Sequence, residues 1–284
     1  DHSTAGAQEI VRRLRDSNQR LLGTLLAYCI AGHHGGLPDY GSAVDLGTTL
    51  PGSPRVYAKA MRASIRERPQ KGARKLGYLA AHLSREPATQ LKVSLRGPLF
   101  SPAEEPVCFE IPYHFSPFTV AGLKGYLEYS HGPEVNYMSA PMLAEDKGIR
   151  IEESRTGPGT WRNQVELELF SPGSREGISV SGTITEEGRQ RVVNIGGYWI
   201  EFIPEGTVLL FSNHDRPGVI GKVGTLLGRA GTNIANFALG RRNGSGLAVG
   251  ALQIDDDVPM PVLEELKKDV DLLWAVKVRF TEDL

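Results

Sequence analysis

The chain has 284 residues, of which 40% are hydrophobic and 23% are charged, and its formal net charge is −1 at pH 7. This length allows two or three small domains with buried cores, and the composition is that of an ordinary globular protein rather than a disordered or fibrous one. No apolar run reaches the roughly 18 residues that a membrane span needs, so we expect no membrane segment.

The two cysteines and the first residue bear on the setting of the chain. Cys29 and Cys108 lie far apart, which favours reduced thiols, and therefore the cytoplasm, over a disulfide framework. No signal-peptide pattern is found at the start of the sequence. Residue 1 is Asp rather than Met, so we expect the chain to be part of a longer protein.

Residues 1–50 are predicted to be mainly helical. Residues 3–14 and 19–32 have helical periodicity, and the second segment is apolar nearly all round, which favours a buried helix. Lys and Arg outnumber Asp and Glu in residues 1–75, and the reverse holds in the remainder. We interpret the basic side chains as a solvated helix face, so we expect no binding to nucleic acid.

Residues 51–87 are predicted to be a linker followed by a helix. Gly, Pro and small polar residues over 35–54 indicate a loop. A helical pattern covers about 55–83, with an interruption predicted at Pro69 and Gly72. One face of this helix carries four apolar residues, Leu76, Leu79, Ala80 and Leu83.

Residues 88–203 are predicted to form an α/β domain. Alternating apolar and polar residues, separated by turn sequences such as "EEGR" and "GG", indicate a run of antiparallel hairpins. The predicted strands are "LKVSLRG", "NQVELELF", "ISVSGTIT", "QRVVNI" and "YWIEFI". Helices are predicted at about 119–129 and at 141–147, and Gly148 ends the second one.

Residues 204–284 are predicted to form a ferredoxin-like βαββαβ domain. Its strands are "TVLLFS", "NIANFALGR", "GLAVGALQI" and "LLWAVKVRF", and its helices cover 218–230 and 259–269. The chain is therefore of the α+β class: an N-terminal helical segment, an α/β domain and a C-terminal ferredoxin-like domain.

The helix predicted at 218–230 has an apolar stripe and start and stop residues at its two ends. Four residues, Ile220, Val223, Leu227 and Ala230, form a stripe that is predicted to face the core. Pro217 is predicted at the helix start and Gly231 just after its end. Gly218 and Gly221 leave the first turn bare, so that its backbone N–H groups are available to a carboxylate or another anion.

Polar side chains surround this bare turn. Asn213 and Asp215 flank it, and Asn233 begins the next strand, which we expect to lie beside it. An aspartate suits an ammonium group, and free N–H groups suit a carboxylate, so the site matches the two ends of a free amino acid. The alternative is a glycine-tightened turn that binds no ligand.

The stretch "DRPGVIGKVGTLLGRAGTNI" (215–234) resembles the motif of the ACT domain, a βαββαβ module that binds amino acids. Upstream segments, in order "ARKLGYLAAHL", "AGLKGYLE", "VNYMSAPMLAEDKGI" and "VVNIGGYWIEF", resemble the C-terminal half of the D-3-phosphoglycerate dehydrogenase family. The resemblance covers about residues 70–284. It implies an allosteric substrate-binding domain over 88–203 and an ACT domain over 204–284.

The resemblance also implies a ligand, its binding residues and a mode of association. The implied ligand is L-serine or a similar amino acid, held between two ACT domains of a homo-oligomer. The residues that match the binding motif are Asn213, Asp215, Pro217, Gly218, Asn233 and Ile234. Ser139 departs from the family, which usually has Asn before Ala-Pro, and this puts ligand contacts near that loop in question.

No dehydrogenase active site is predicted in this chain. A nucleotide-binding domain would show a G-x-G-x-x-G turn between a strand and a helix, and the glycines of "GVIGKVG" (218–224) belong to the ACT helix instead. We therefore expect no catalytic residues and no bound cofactor here. NAD would be a cofactor only if a separate catalytic domain is present.

The N-terminal residues resemble a different family. "DHSTAGA" (1–7) and "AYCIAGHHGGLPDYGS" (27–42) are similar to parts of the HD nuclease domain of CRISPR-associated type I interference proteins, which implies His2, His33 and His34 as ligands of a two-metal site. The His-Asp dyad of that family is not found in a suitable context. We therefore expect an incomplete site and no bound divalent metal.

Three hypotheses follow from these patterns. The chain is the amino-acid-binding regulatory part of a D-3-phosphoglycerate dehydrogenase, a fragment of a metal-dependent HD-type nuclease, or a chimera of unrelated pieces without a joint function. The first hypothesis is preferred because its resemblance is the longest and ends in a complete domain.

Overall fold

The computed structural model describes residues 68–100, 115–174, 176–185, 189–242, 244–255, 258–269, 272–281 and 284. One compact unit, Arg68–Ser101 with Phe118–Leu284, contains almost all of them. The helices predicted at 3–14 and 19–32, the loop predicted at 35–54, and the first part of the helical stretch predicted at 55–83 lie outside the described residues.

Three helices and six strands form a first module. In chain order they are α1 (Arg68–Leu83), β1 (Gln90–Arg96), α2 (Pro117–His131), α3 (Ser139–Asp146), β2 (Arg150–Thr156), β3 (Gln164–Phe170), β4 (Ile178–Ile184), β5 (Gln190–Ile195) and β6 (Tyr198–Phe202). A short 3₁₀ helix, Pro98–Phe100, follows β1. The second module consists of β7 (Gly206–His214), α4 (Val219–Arg229), β8 (Ile234–Arg241), β9 (Leu247–Ile254), α5 (Met260–Asp269) and β10 (Leu272–Phe280).

All ten strands belong to one sheet, in the order β10-β7-β9-β8-β6-β5-β4-β3-β1-β2. The second module has the predicted βαββαβ order, and its neighbouring strands are all antiparallel, as in a ferredoxin-like fold. The two modules meet where β6 pairs with β8, through Trp199 and Arg241. A side chain at Gly240 would place its Cβ 2.6 Å from the carbonyl oxygen of Trp199, so the strands approach closely there.

The prediction of antiparallel hairpins alone was incomplete for the first module. Strand β2 (RIEESRT) was not predicted, and it pairs with β1 in parallel at the edge of the sheet. Its residues alternate only between exposed and half-buried, so its sequence lacks the apolar face that marks a strand. The chain reaches this position through α2 and α3, a crossover of the kind that parallel pairing requires.

Helices cover opposite faces of the two modules. α1, α2 and α3 pack on one face and bury Leu79, Leu91 and Leu167 completely. This core continues into the second module through Val208 and Val278, because α1 contacts β10 as well as β3, β4 and β5. α4 and α5 cover the other face of the second module, where fully buried residues are Leu209, Phe211, Leu227 and Leu266. Each such side chain contributes about 1.5–3 kcal/mol through burial.

Two helix predictions were wrong in detail. α1 runs through Pro69 and Gly72 without interruption, because proline is accepted in the first turn, where its missing N–H costs no intrahelical bond. α4 begins at Val219 rather than with the residues before it, since Gly218 has φ 92° and therefore precedes the helix as its N-cap. Pro217 lies one residue earlier still.

The predicted stripe of α4 is also changed at its ends. Val219, Val223 and Leu227 are buried, Ile220 is half-buried, and Ala230 is exposed at the C-cap. The predicted glycine stops are confirmed. Gly231 (φ 75°) and Gly148 (φ 69°) each follow a helix in the left-handed conformation, and the N–H of each donates to the carbonyl three residues earlier.

Candidate ligand-binding site

The carboxyl end of β7 is the centre of the candidate site. Asn213, Ala248 and Arg241 form a row across β7, β9 and β8, since Asn213 pairs with Ala248 and Ala248 with Arg241. Paired residues of adjacent strands place their side chains on the same face. This is the face that α4 and α5 cover, because Phe211, two residues before Asn213, belongs to their core.

Asn213 is a buried amide with an unsatisfied acceptor. Only 2% of the residue is exposed. Its Nδ2 donates to the carbonyl oxygen of His214 at 2.6 Å, whereas its Oδ1 is buried and has no hydrogen-bond partner among the residues that the structure describes. A buried acceptor without a donor costs about 1–3 kcal/mol, so Asn213 is a position where a donor from a bound molecule would be stabilising.

Asp215 lies just beyond β7 and is bonded to the turn before β9 and to the last residue of β8. Its backbone N–H donates to the carbonyl of Gly246 at 2.9 Å. Its Oδ2 accepts from Nε of Arg241, also at 2.9 Å. The side chains are 32% and 66% exposed, so this ion pair contributes at most about 1 kcal/mol to stability. The carboxylate can therefore exchange partners at little cost.

The N-terminus of α4 follows Asp215 closely in the chain, with Gly218 as its N-cap. Within the described part of the chain, no side-chain hydrogen bond caps α4, and Gly218 at the N-cap is exposed and has no Cβ. The first N–H groups of any helix have no partner within it, and they lie at the positive end of the helix dipole. Pro217 has no N–H, so the donors available here begin after it. This turn is suited to an anionic group such as a carboxylate.

Asn233 and Ile234 do not lie beside this turn, contrary to the prediction. Ile234 pairs with Ile254, which pairs with Thr207, so both residues lie at the opposite end of the sheet from Asn213. Six steps along β7 separate Thr207 from Asn213, about 20 Å at the rise of a β-strand. The reason is α4, which runs the length of the strands between Gly218 and Asn233. Nδ2 of Asn233 donates to Oδ2 of Asp255 at 2.5 Å.

Ser139, which departs from the family pattern, is used locally. Its hydroxyl accepts from the backbone N–H of Asn136 at 3.0 Å, and Oδ1 of Asn136 accepts from the N–H groups of Met138 and Ser139 at 3.0 and 2.8 Å. These bonds fix the start of α3. The loop that precedes α3 is therefore ordered by its own side chains.

The first module contains a buried charged cluster that the sequence reasoning did not identify. Arg74 of α1 donates to both carboxylate oxygens of Glu128 on α2, with Nε at 2.7 Å. Lys124 donates to the same carboxylate and to the carbonyl of Val135. The only signal was the i,i+4 spacing of Lys124 and Glu128, because the arginine comes from another helix.

Glu128 also acts on a neighbouring tyrosine. Burial, and after it the negative charge of Glu128, raises the pKa of the Tyr78 hydroxyl above its ordinary value. Tyr78 is on α1, four residues after Arg74, and its ring contacts His82 edge to face with centroids 4.4 Å apart. Burial lowers the pKa of His82. The ring of His82 also contacts that of Tyr129 on α2, with centroids 4.5 Å apart, so charge and aromatic contacts both join α1 to α2.

The predicted metal ligands, His2, His33 and His34, lie outside the described residues, so the two-metal hypothesis stays a prediction. Among the residues that the structure describes, no three His, Cys, Asp or Glu side chains are grouped so as to hold a metal ion. No helix in the described part of the chain is long and apolar enough to cross a membrane.

Two family models match the chain. Residues 71–196 match the D-3-phosphoglycerate dehydrogenase intervening domain, and residues 207–271 match the ACT domain. The first match corresponds to most of the first module and the second to most of the ferredoxin-like module. Neither match reaches residues 1–50, so the resemblance of that segment to a nuclease stays a prediction.

The curated proteins that are similar to this chain include several D-3-phosphoglycerate dehydrogenases. D-3-phosphoglycerate dehydrogenase of Synechocystis is 30% identical over 207 residues, which are 73% of this chain and 35% of the relative. The enzymes of Methanocaldococcus jannaschii and Archaeoglobus fulgidus are 33% and 35% identical over 148 and 152 residues, and each match covers 28% of the relative. The chain thus spans about a third of the length of these relatives. Together, the matches support the C-terminal regulatory half of a D-3-phosphoglycerate dehydrogenase.

Proposed function

We propose that this chain is the amino-acid-binding regulatory part of a D-3-phosphoglycerate dehydrogenase, and that two copies of its ACT domain bind L-serine between them. The dehydrogenase reaction and its use of NAD belong, in this proposal, to a catalytic domain outside this chain. The observation that carries the proposal is the buried Oδ1 of Asn213, which has no donor among the described residues and lies near the N-terminus of α4.

Each end of an amino acid has a counterpart at the carboxyl end of β7. The N–H groups after Gly218 suit the α-carboxylate, because they are uncapped and lie at the positive end of α4. The carboxylate of Asp215 suits the ammonium group, with Oδ1 of Asn213 as a second acceptor. Both ends of the ligand are thereby held by one copy of the chain.

In this proposal the second copy of the chain contacts the side chain of the ligand. Asn233 lies about 20 Å from Asn213 along the sheet, so one copy cannot bring both to one small molecule. Two copies related by a twofold axis perpendicular to β8 would run their β8 strands antiparallel and so bring Asn233 of one towards Asp215 of the other. Its amide can both donate to and accept from a hydroxyl group, which favours L-serine over glycine or alanine.

The start of β8 is suited to this pairing, because the register pair that joins β8 to β6, Trp199 with Arg241, lies at the far end of β8. β8 pairs with β9 on one side, and its pairing with β6 on the other involves Arg241 at its end. Ala235, Asn236 and Phe237 are exposed, and the ring of Phe237 is an apolar contact surface. An edge with unpaired backbone groups is stabilised when a second strand pairs with it. We therefore propose a homo-oligomer built through the ACT domains.

Titration calorimetry with L-serine tests the site. We expect saturable binding, weakened by about 1–3 kcal/mol in Asp215→Ala and in Asn233→Ala, because each variant loses a hydrogen-bonding partner of the ligand. Gln253→Ala is the matched control, since Gln253 lies on β9 at the same end of the sheet as Asn233. Binding of another amino acid but not L-serine would keep the module and remove the link to serine.

A mixing experiment tests whether the site is shared between copies. Asp215→Ala and Asn233→Ala chains are each defective, but every mixed dimer would combine Asp215 from one chain with Asn233 from the other and so contain an intact site. We expect co-refolded chains to recover a fraction of sites with wild-type affinity. If the mixture binds no better than the two variants separately, the two residues do not share a site.

A further inference from the structure

The ion pair between Asp215 and Arg241 connects the proposed amino-acid site to the junction of the two modules. Arg241 ends β8, and its guanidinium reaches across β9 to Asp215 beyond the end of β7. The residue that it crosses is Ala248, whose small side chain leaves room for this path. Nε of Arg241 is thus paired with the carboxylate that, in the proposed function, binds an ammonium group.

Arg241 is also the residue through which β8 pairs with β6. Its partner in that pair is Trp199, so the two side chains are direct cross-strand neighbours on one face of the sheet. Trp199 is 55% exposed, and its ring is therefore open to a cation. A guanidinium over an exposed tryptophan ring gains about 0.5–1 kcal/mol, comparable with an exposed ion pair.

We propose that Arg241 is a switch residue with two alternative partners, Asp215 and Trp199. An amino acid bound at Asp215 replaces Nε of Arg241 with its own ammonium group, and Arg241 then moves to the ring of Trp199. Amino-acid binding is thereby communicated from the ACT domain to β6 of the first module. This proposal rests on the proposed function, because it requires an ammonium group to bind at Asp215.

The two arrangements are close enough in energy to exchange. The side chain of Arg241 is 66% exposed, so its movement breaks no buried contact. The backbone does not have to move, because Gly240 and Arg241 hold β8 against β6 in either arrangement. A two-state side chain that both sites bias is the element that coupling between them requires.

Calorimetry on Arg241→Gln tests the competition. The variant keeps a long polar side chain but removes the charge that competes for Asp215, so we expect L-serine to bind about two- to five-fold more tightly, the range that one exposed ion pair allows. Arg242→Gln is the matched control, since the guanidinium of Arg242 lies 5.6 Å from the ring of Tyr198 instead, and we expect it to leave the affinity unchanged. Weaker or equal binding in Arg241→Gln would overturn the proposal.

Tryptophan fluorescence tests the movement. The chain has three tryptophans, and the part of the serine-induced change that is absent in Trp199→Phe reports on Trp199. We expect L-serine to change the fluorescence of Trp199 in the wild type and in Arg242→Gln. In Arg241→Gln we expect this Trp199 contribution to be lost. An identical change in wild type and Arg241→Gln would show that Arg241 does not move to Trp199. If wild type and all variants bind no amino acid, the proposed function fails and this proposal with it; if wild type binds and only these differences are missing, this proposal alone fails.

Discussion

The two modules of the sheet use charged residues in different ways. In the first module, Glu128 is buried with 5% of its side chain exposed, and it is shared by Arg74 and Lys124. In the second module, Asp215 and Arg241 form a pair at the surface. A buried charge cannot lose its partner without a large cost, whereas an exposed pair can open freely. The first arrangement holds two helices together, and the second is available for exchange with a ligand.

The helix glycines of the two modules also differ in what surrounds them. A Cβ at Gly77 or Gly125 would overlap a backbone carbonyl oxygen of the facing helix, so α1 and α2 touch at these glycines. At Gly221, Gly224 and Gly228 of α4, a Cβ would have nothing within 4 Å. The first set allows close helix packing, which no other residue permits. The second set is not required by packing among the described residues, which leave this surface of α4 bare.

The largest effect is expected from the buried carboxylate. Glu128→Ala removes the anion that Arg74 and Lys124 share, and we expect the free energy of unfolding to fall by about 3–5 kcal/mol. Asp215→Ala is the matched control in the second module, with an expected loss below about 1 kcal/mol. Urea unfolding, followed by circular dichroism, measures both. Equal losses would show that the two ion clusters are not different in kind.

A smaller effect is expected from the helix contact. Gly77→Ala pushes a methyl group into the carbonyl oxygen of Gly122, and separating the helices should cost about 1–3 kcal/mol. Gly72→Ala, on the same helix, places its Cβ at an ordinary 3.5 Å from Gln190 and should be neutral or slightly stabilising. Thermal unfolding of the two variants separates them. A stable Gly77→Ala protein would contradict the close contact between α1 and α2.

The smallest expected effect is an increase in stability, in contrast to the two losses above. Gly224→Ala should raise the free energy of unfolding by about 0.5–1 kcal/mol, because alanine is the better helix former and the site has room for it. Gly231→Ala should instead destabilise by about 1 kcal/mol, since Gly231 has φ 75° and a Cβ is strained there. A destabilised Gly224→Ala chain that dissociates on dilution would indicate that the bare face of α4 packs against a second copy.

The βαββαβ module was predictable because its signals are local. Strand β10 (Leu272–Phe280) has the bounds that its sequence predicts, and each of the other elements of the module differs by no more than two residues at either end. Alternating apolar residues, a bare glycine turn and a glycine stop depend on neighbours within a few residues. β2 was missed for the complementary reason: it is an edge strand whose charged sequence carries no apolar face.

The sequence by itself determined which residues are available for an amino-acid site: Asn213, Asp215, Gly218 and Asn233 were all identified from their pattern. Only the tertiary structure decided which of them lie together, since α4 carries the chain along the whole sheet and places Asn233 at its far end. It also decided that Arg241 pairs with Asp215 and that Arg74 pairs with Glu128, 26 and 54 residues apart. Contacts at such separations depend on strand order and helix packing, and no local pattern along the chain encodes them.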